Sequence, residues 1–221
     1  MRIGSPEETN RKWKEVIMEI YLIRHGETDY NKAKRIQGHC DIALNDYGRE
    51  LARLTADGLK DVPFDVVFTS PLVRASETAR ILAGDRKIPI IEDIRIQEIG
   101  FGEYEGLCSG KQGYNIPDNK EFWNFFFDTP NYRVPPGGES FEEVIGRTGE
   151  FLRELLSNGE YRDKTVLIST HGCALKAILA NISGTSIKDF WGEGVHKNCG
   201  VTHLSDADGS LKIIEEGKLY Y

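Results

Sequence analysis

Two histidines stand in the same local setting, each after an apolar run and each followed by glycine. They are His25 in Leu22-Ile23-Arg24-His25-Gly26-Glu27-Thr28 and His171 in Ser169-Thr170-His171-Gly172. A third cluster, Ser70-Pro71-Leu72-Val73-Arg74, follows another apolar run, and Glu98 lies in the apolar, glycine-rich stretch Gln97-Glu98-Ile99-Gly100-Phe101-Gly102. Brought together, two imidazoles and the guanidinium groups of Arg24 and Arg74 make a cationic, donor-rich pocket matched to a tetrahedral dianion such as a phosphoryl group. A neutral imidazole can attack phosphorus, and water then breaks the phosphohistidine, which divides one hard transfer into two easier ones.

His25 is the better placed nucleophile. Arg24 beside it can hold the phosphoryl oxygens during attack, Gly26 allows close approach of the backbone, and a backbone carbonyl can fix the other ring nitrogen. His171 then stabilises charge in the transition state, and N–H groups at the starts of the following helices add donors. The leaving alkoxide needs a proton, which a carboxyl group in an apolar setting can supply before acting as base toward water. Glu98 fits that part, although Glu92, Asp93, Glu103 and Glu105 lie near enough in sequence to compete for it. Taken singly, each residue has a plainer reading. A histidine after a strand is commonly structural, Arg74 can pair with Glu77 on its helix surface, and His39, His196 and His203 show no partner in the sequence.

Such a site needs elements that end in one place. Residues 19–23 and 165–169 are short, β-favouring apolar runs, each ended by a His-Gly step, and residues 65–69 form a third before Ser70-Pro71. Serine suits a helix cap and proline the first turn, which places Arg74 near the start of a helix. Asn45 can cap a helix through about Asp57, and residues 174–180 favour helix. Ser140 with Glu143 forms a capping box ahead of Val144, Ile145, Phe151, Leu152 and Leu155.

Strands alternating with helices predict a three-layer α/β fold, a mostly parallel sheet with helices on both faces, in which ligands bind beyond the carboxyl ends of the strands. Residues 108–138 differ in being rich in Gly, Pro, Asn and aromatic residues, including Phe122, Trp123, Phe125, Phe126 and Phe127. They are expected to form a lid-like insertion over the site. Internal packing, substrate contact and subunit contact all remain open to the aromatic run.

At 221 residues, 39% hydrophobic and 29% charged, the chain has the composition of an ordinary globular protein and the length of a single domain. Residues 1–15 read as a loosely docked N-terminal extension. No apolar run has the length of a membrane span and the N-terminal stretch lacks the apolar centre of a signal peptide, so a cytoplasmic location with no membrane partner is expected. The net charge of −7 argues against nucleic acid as a partner, which would require a basic surface. Cys40, Cys108, Cys173 and Cys199 are too dispersed for a zinc or redox pair. The oligomeric state has no signature here.

The stretch Arg24-His25-Gly26-Glu27-Thr28 with Asn31 and Gln37-Gly38, then Ser70-Pro71-Leu72 with Arg74-Ala75 and Thr78-Ala79, then Glu98, and finally Thr170-His171-Gly172, resembles the histidine phosphatase superfamily in its phosphoglycerate mutase-like branch. Any one of these motifs is short enough to arise by chance; four in the right order, spanning roughly residues 19–204, are specific. The resemblance implies a phosphoglycerate mutase-like fold and a phosphoric monoester hydrolase needing no cofactor or metal. By it, His25 takes up the phosphoryl group, Arg24, Arg74 and His171 surround it, and Glu98 is the proton donor. It further implies that Asn31, Gln37 and Gly38 line the pocket mouth, that the Gly172 N–H reaches the phosphate, and that Asn198 contributes from Lys197-Asn198-Cys199-Gly200.

The expected activity is hydrolysis of a small phosphorylated metabolite. Transfer back to a sugar acid, as in a mutase, is the nearest alternative. The segment from Glu98 to Ser140 favours hydrolysis, because at about forty residues it is shorter than the insertion by which mutases of that family exclude water. A metal-dependent hydrolase using His25, His171 and Glu98 as ligands would place two guanidinium groups beside a cation, which they repel. A non-catalytic phosphate-binding protein would not need the complete set of reacting groups.

Overall fold

The computed structural model describes residues 17–117, 119–207 and 209–221; the expected extension at residues 1–15 lies outside them. Among the described residues, β1 (Glu19–Arg24), β2 (Val66–Thr69), β3 (Ile90–Glu92), β4 (Thr165–Thr170), β5 (Val201–Ser205) and β6 (Lys212–Lys218) form one sheet in the order β3-β2-β4-β1-β5-β6. β3, β2, β4 and β1 are parallel, whereas β5 is antiparallel to β1 and β6 to β5. The expected strands β1, β2 and β4 are neighbours, with mostly buried residues. Covered on both faces, they read as unbroken apolar runs.

The two faces are separated within β1 by the two-residue period of a strand. Ile20 and Leu22 pack with Phe151 and Leu155 of α5 (Phe141–Ser157) and with Leu175 and Ile178 of α6 (Gly172–Ser183). Ile23 packs the opposite way, with Leu51 of α2 (Asp46–Gly58) and Ala79 and Leu82 of α3 (Val73–Ala83). Burying each such side chain contributes about 1.5–3 kcal/mol, enough to fix which face every strand residue takes. The expected three-layer α/β fold is the one observed.

The caps of α2 and α5 form as expected. Asn45 accepts from the Gly48 N–H, and Ser140 and Glu143 complete a capping box. The start of α3 differs from expectation: the helix begins at Val73, and Leu72 before it makes no side-chain cap bond. The Ser70 hydroxyl serves both the helix start and the site: it accepts from the Leu72 N–H at 3.3 Å and lies 2.8 Å from His171 Nε2.

Residues 108–138 hold an unexpected helix, α4 (Asn119–Phe127), whose Phe122, Trp123, Phe125 and Phe126 join Phe101, Phe141, Phe190 and Trp191 in a third apolar cluster. A four-residue helix, α1 (Asp29–Lys32), follows the His25 loop. No helix among the described residues is long and apolar enough to cross a membrane.

Candidate active site

The carboxyl ends of β1, β4 and β2, side by side in the sheet, deliver His25, His171 and the Ser70-to-Arg74 segment to one place. Arg24, His25, Arg74, Glu98 and Gly172 line a cavity of about 260 Å³, and Gln37 and Gly38 form part of its rim. His171 lies behind His25, with ring centroids 5.1 Å apart. The sheet therefore converts four distant segments into one site.

His25 is buried, and its Nδ1 lies 2.7 Å from the Gly26 carbonyl oxygen. A carbonyl only accepts, so Nδ1 carries the proton and Nε2 keeps its lone pair. Burial, with Arg74 and Arg24 nearby, holds the imidazole well below the usual histidine range and therefore neutral. His171 is likewise held neutral, chiefly by burial and then by Arg74. Both rings rest in the form that a nucleophile and a hydrogen-bonding partner require.

Arg74 does not pair with Glu77, which instead binds Arg49 at 2.6 Å. It turns inward, fully buried, and donates from Nη2 to the Gly38 carbonyl and from Nη1 to the Cys40 carbonyl, both at 2.7 Å. Burial outweighs the attraction of Glu98 and Asp41 and brings its pKa down to about 10, so it stays charged at neutral pH. Arg24 donates from Nη1 to the His196 carbonyl. After these bonds, Arg24 Nε, Arg74 Nε and His171 Nδ1 remain buried without a partner. Each such orphan costs about 1–3 kcal/mol, and the two guanidinium Nε–H groups on one cavity point to an acceptor-rich ligand.

Glu98 occupies the N-terminus of α6. Its Oε1 accepts from the N–H groups of Cys173 at 2.9 Å, Ala174 at 3.1 Å and Ile99 at 3.1 Å. Helix-start donors expected to serve the ligand thus position the carboxyl group instead. At Gly172 a Cβ atom would fall 2.9 Å from Val195 Cγ1 and within 4 Å of Glu98 and Arg24, so only glycine leaves this wall open. At Gly26 a Cβ would strike the Gly48 carbonyl of α2 at 2.5 Å, so packing against that helix also requires glycine there.

A sequence profile described as the histidine phosphatase superfamily (branch 1) matches residues 20–216. The chain belongs to the histidine phosphatase superfamily. It is 36% identical to the uncharacterized phosphatase PhoE of Bacillus subtilis, over 75% of this chain and 77% of the relative. To a metal-independent phosphoserine phosphatase of Arabidopsis thaliana it is 32% identical, over 90% and 84%. Among solved structures, Bacillus stearothermophilus YhfR superposes with a TM-score of 0.83 at 33% identity, covering 91% of this chain and 97% of that one.

Within this histidine phosphatase, Asn31 and Asn198 stand beside the cavity as supports of the His25 loop. Asn198 Nδ2 donates to the His25 carbonyl at 2.9 Å and the Gly26 carbonyl at 3.2 Å, and lies 3.5 Å from Asn31 Oδ1. Thr28 Oγ1 joins Asn31 to Gln37, and Thr78 Oγ1 accepts from the Gly26 N–H at 3.0 Å. Sequence reading missed the network beneath Glu98. Arg147 Nη2 donates to the Glu98 carbonyl at 2.9 Å, and Glu139 binds both Arg147 and the Gly100 N–H. Neither residue carries a motif that could have identified it. Phe122, Phe125 and Phe126 do reach the cavity wall, whereas Phe127 is 81% exposed. The expected competitors of Glu98 point elsewhere: Asp93 pairs with Arg95, Glu92 with Arg80, Glu105 accepts from backbone N–H groups of His39 and Phe101, and Glu103 is exposed.

Proposed function

We propose that the protein hydrolyses small phosphomonoesters without a metal, through a phosphohistidine formed on His25. The observation that carries this reading is the pair of buried, unpartnered guanidinium Nε–H groups of Arg24 and Arg74 beside an imidazole whose tautomer leaves Nε2 free. A phosphate dianion accepts from Arg24 Nε and Arg74 Nε, with His171, Gly172, Gln37 and Gly38 completing its surroundings. Asn31 and Asn198 keep the His25 loop in place.

In the first step His25 Nε2 bonds to phosphorus as the ester P–O bond breaks, and the Glu98 carboxyl group protonates the departing oxygen. In the second, Glu98 takes a proton from water, the water oxygen bonds to phosphorus, and the N–P bond breaks to release phosphate. The two guanidinium groups favour a monoester dianion over a diester. They also disfavour a divalent cation in the same cavity, and among the described residues no three His, Cys, Asp or Glu side chains are grouped as metal ligands. The printed names of the relatives, a phosphatase and a metal-independent phosphoserine phosphatase, support phosphomonoesters as the substrate class.

The reading is tested with purified protein and p-nitrophenyl phosphate. Turnover should survive dialysis against a strong chelator, and His25→Ala should lower kcat/KM by about 10⁴-fold or more. Loss of activity on chelation, or an undiminished His25→Ala rate, contradicts it.

A further inference from the structure

The phosphate-gripping arginine, Arg74 in the first turn of α3, and the proton-donating carboxylate, Glu98, come from different segments, yet protonation requires the two to keep register. His39 sits between them. Its neighbours Gly38 and Cys40 supply the two carbonyl oxygens that hold Arg74, each at 2.7 Å. Its own side chain leaves that loop and reaches the other: Nε2 lies 2.9 Å from the Glu98 carbonyl oxygen and 3.5 Å from Glu139 Oε2. Both oxygens accept, so Nε2 carries the proton.

The ring also covers Gly100, where a Cβ atom would fall 3.1 Å from His39 Cε1. Glu139, itself bonded to the Gly100 N–H at 2.8 Å, anchors the far end of this bridge to Arg147. A second tie runs through the backbone, where the His39 N–H donates to Glu105 Oε1 at 2.8 Å. The side chain of His39 is 44% exposed, which separates it from core residues whose loss would unfold the protein.

We infer that His39 is a positioning residue, tying the loop that grips Arg74 to the loop that carries Glu98, so that the bound phosphoryl group and its proton donor are held as one body. The inference rests on the reading of Glu98 as the proton donor. Removal of the imidazole cuts the link from this loop to the Glu98 carbonyl and leaves that carbonyl to Arg147 alone, while the carbonyls of Gly38 and Cys40 still hold Arg74. Misplacement by about 1 Å can cost as much as 10²-fold in rate. That cost should fall on substrates whose leaving group must be protonated.

The test compares kcat/KM, which reports the steps through phosphorylation, for p-nitrophenyl phosphate and for an alkyl phosphate such as glycerol 2-phosphate. The nitrophenolate leaves without a proton; the alkoxide does not. Glu98→Gln should lower alkyl phosphate hydrolysis by about 10²–10⁴-fold and affect the aryl ester far less. His39→Ala should show the same bias at about 10–10²-fold, with an unchanged circular dichroism spectrum. His39→Gln, which restores a donor toward the Glu98 carbonyl, should recover most of the alkyl activity. If Glu98→Gln shows the bias and His39→Ala lowers both substrates equally, or neither, the positioning role is wrong. If Glu98→Gln itself shows no bias, the proton-donor reading fails and the inference falls with it.

Discussion

Arg24 and Arg74 each give part of the guanidinium fork to backbone carbonyls and keep one buried Nε–H back. That division makes arginine necessary, since a lysine ammonium at either position has no rigid fork to serve two directions at once. Arg74→Lys should lower kcat/KM by about 10²-fold, the usual cost of removing one oriented donor to an oxyanion, as read by steady-state kinetics with p-nitrophenyl phosphate. A change of less than a few-fold would show that Arg74 is a structural tie alone. At this scale the sequence was informative wherever a residue followed a strand end, as His25, Arg74 and His171 do. It was silent on Arg147 and Glu139, whose importance lies in contacts across about fifty and forty residues to the Glu98 loop, with no local pattern to mark them. For Gly26 the sequence could not show the close approach of the Gly48 carbonyl, because only the fold brings α2 against it.

The elements that proved legible were those whose local chemistry and tertiary role agree. β1, β2 and β4 are central strands and read as apolar runs, whereas the edge strands β3 and β6 are mostly exposed or half-buried and carry no such signal. α3 begins later than expected, at Val73, and its Ser70 hydroxyl is shared between the Leu72 N–H and the buried His171 imidazole. α4 was hidden by its Phe-rich run, which has weak helix propensity and is held by packing against α5 and α6. α5 offers a test that separates element from site. Ser140→Ala removes the hydroxyl that accepts from the Glu143 N–H, while the Ser140 backbone N–H still donates to Glu143 Oε2, and should destabilise the fold by about 1 kcal/mol, seen in denaturant unfolding, with kcat/KM little changed. A large kinetic effect would mean that the start of α5 also controls the neighbouring Glu139.

The whole molecule carries a net charge of −7, yet it places Arg24, Arg74 and the neutral imidazoles of His25 and His171 together at the carboxyl ends of its central strands. That arrangement has a pH signature. His25 and His171 are held well below the usual 6.5, so the unfolded chain takes up protons that the folded chain refuses. Their contribution is therefore complete above about pH 6.5 and declines as the pH falls below it. His39 has the opposite sign: hydrogen-bonded to Glu139, it titrates above 6.5, and its contribution is complete below that pH and lost as the pH rises through the folded value. Burial alone would raise the Glu139 carboxyl group, but bonds from His39, Arg147 and Gly100 bring it to about 2, so its contribution fades only as the pH falls from 4.5 toward that value. Thermal unfolding should thus show a midpoint that falls below pH 6.5, less steeply in His25→Asn; an equal slope in the variant would deny His25 its buried neutral state. The most direct test of the central claim is rapid-quench labelling with a phosphorylated substrate carrying radioactive phosphorus. The predicted result is an acid-labile, base-stable phosphoprotein that forms within one turnover, maps to His25 and is absent from His25→Ala. Label on another residue, or full turnover with no phosphoprotein at any quench time, would contradict it.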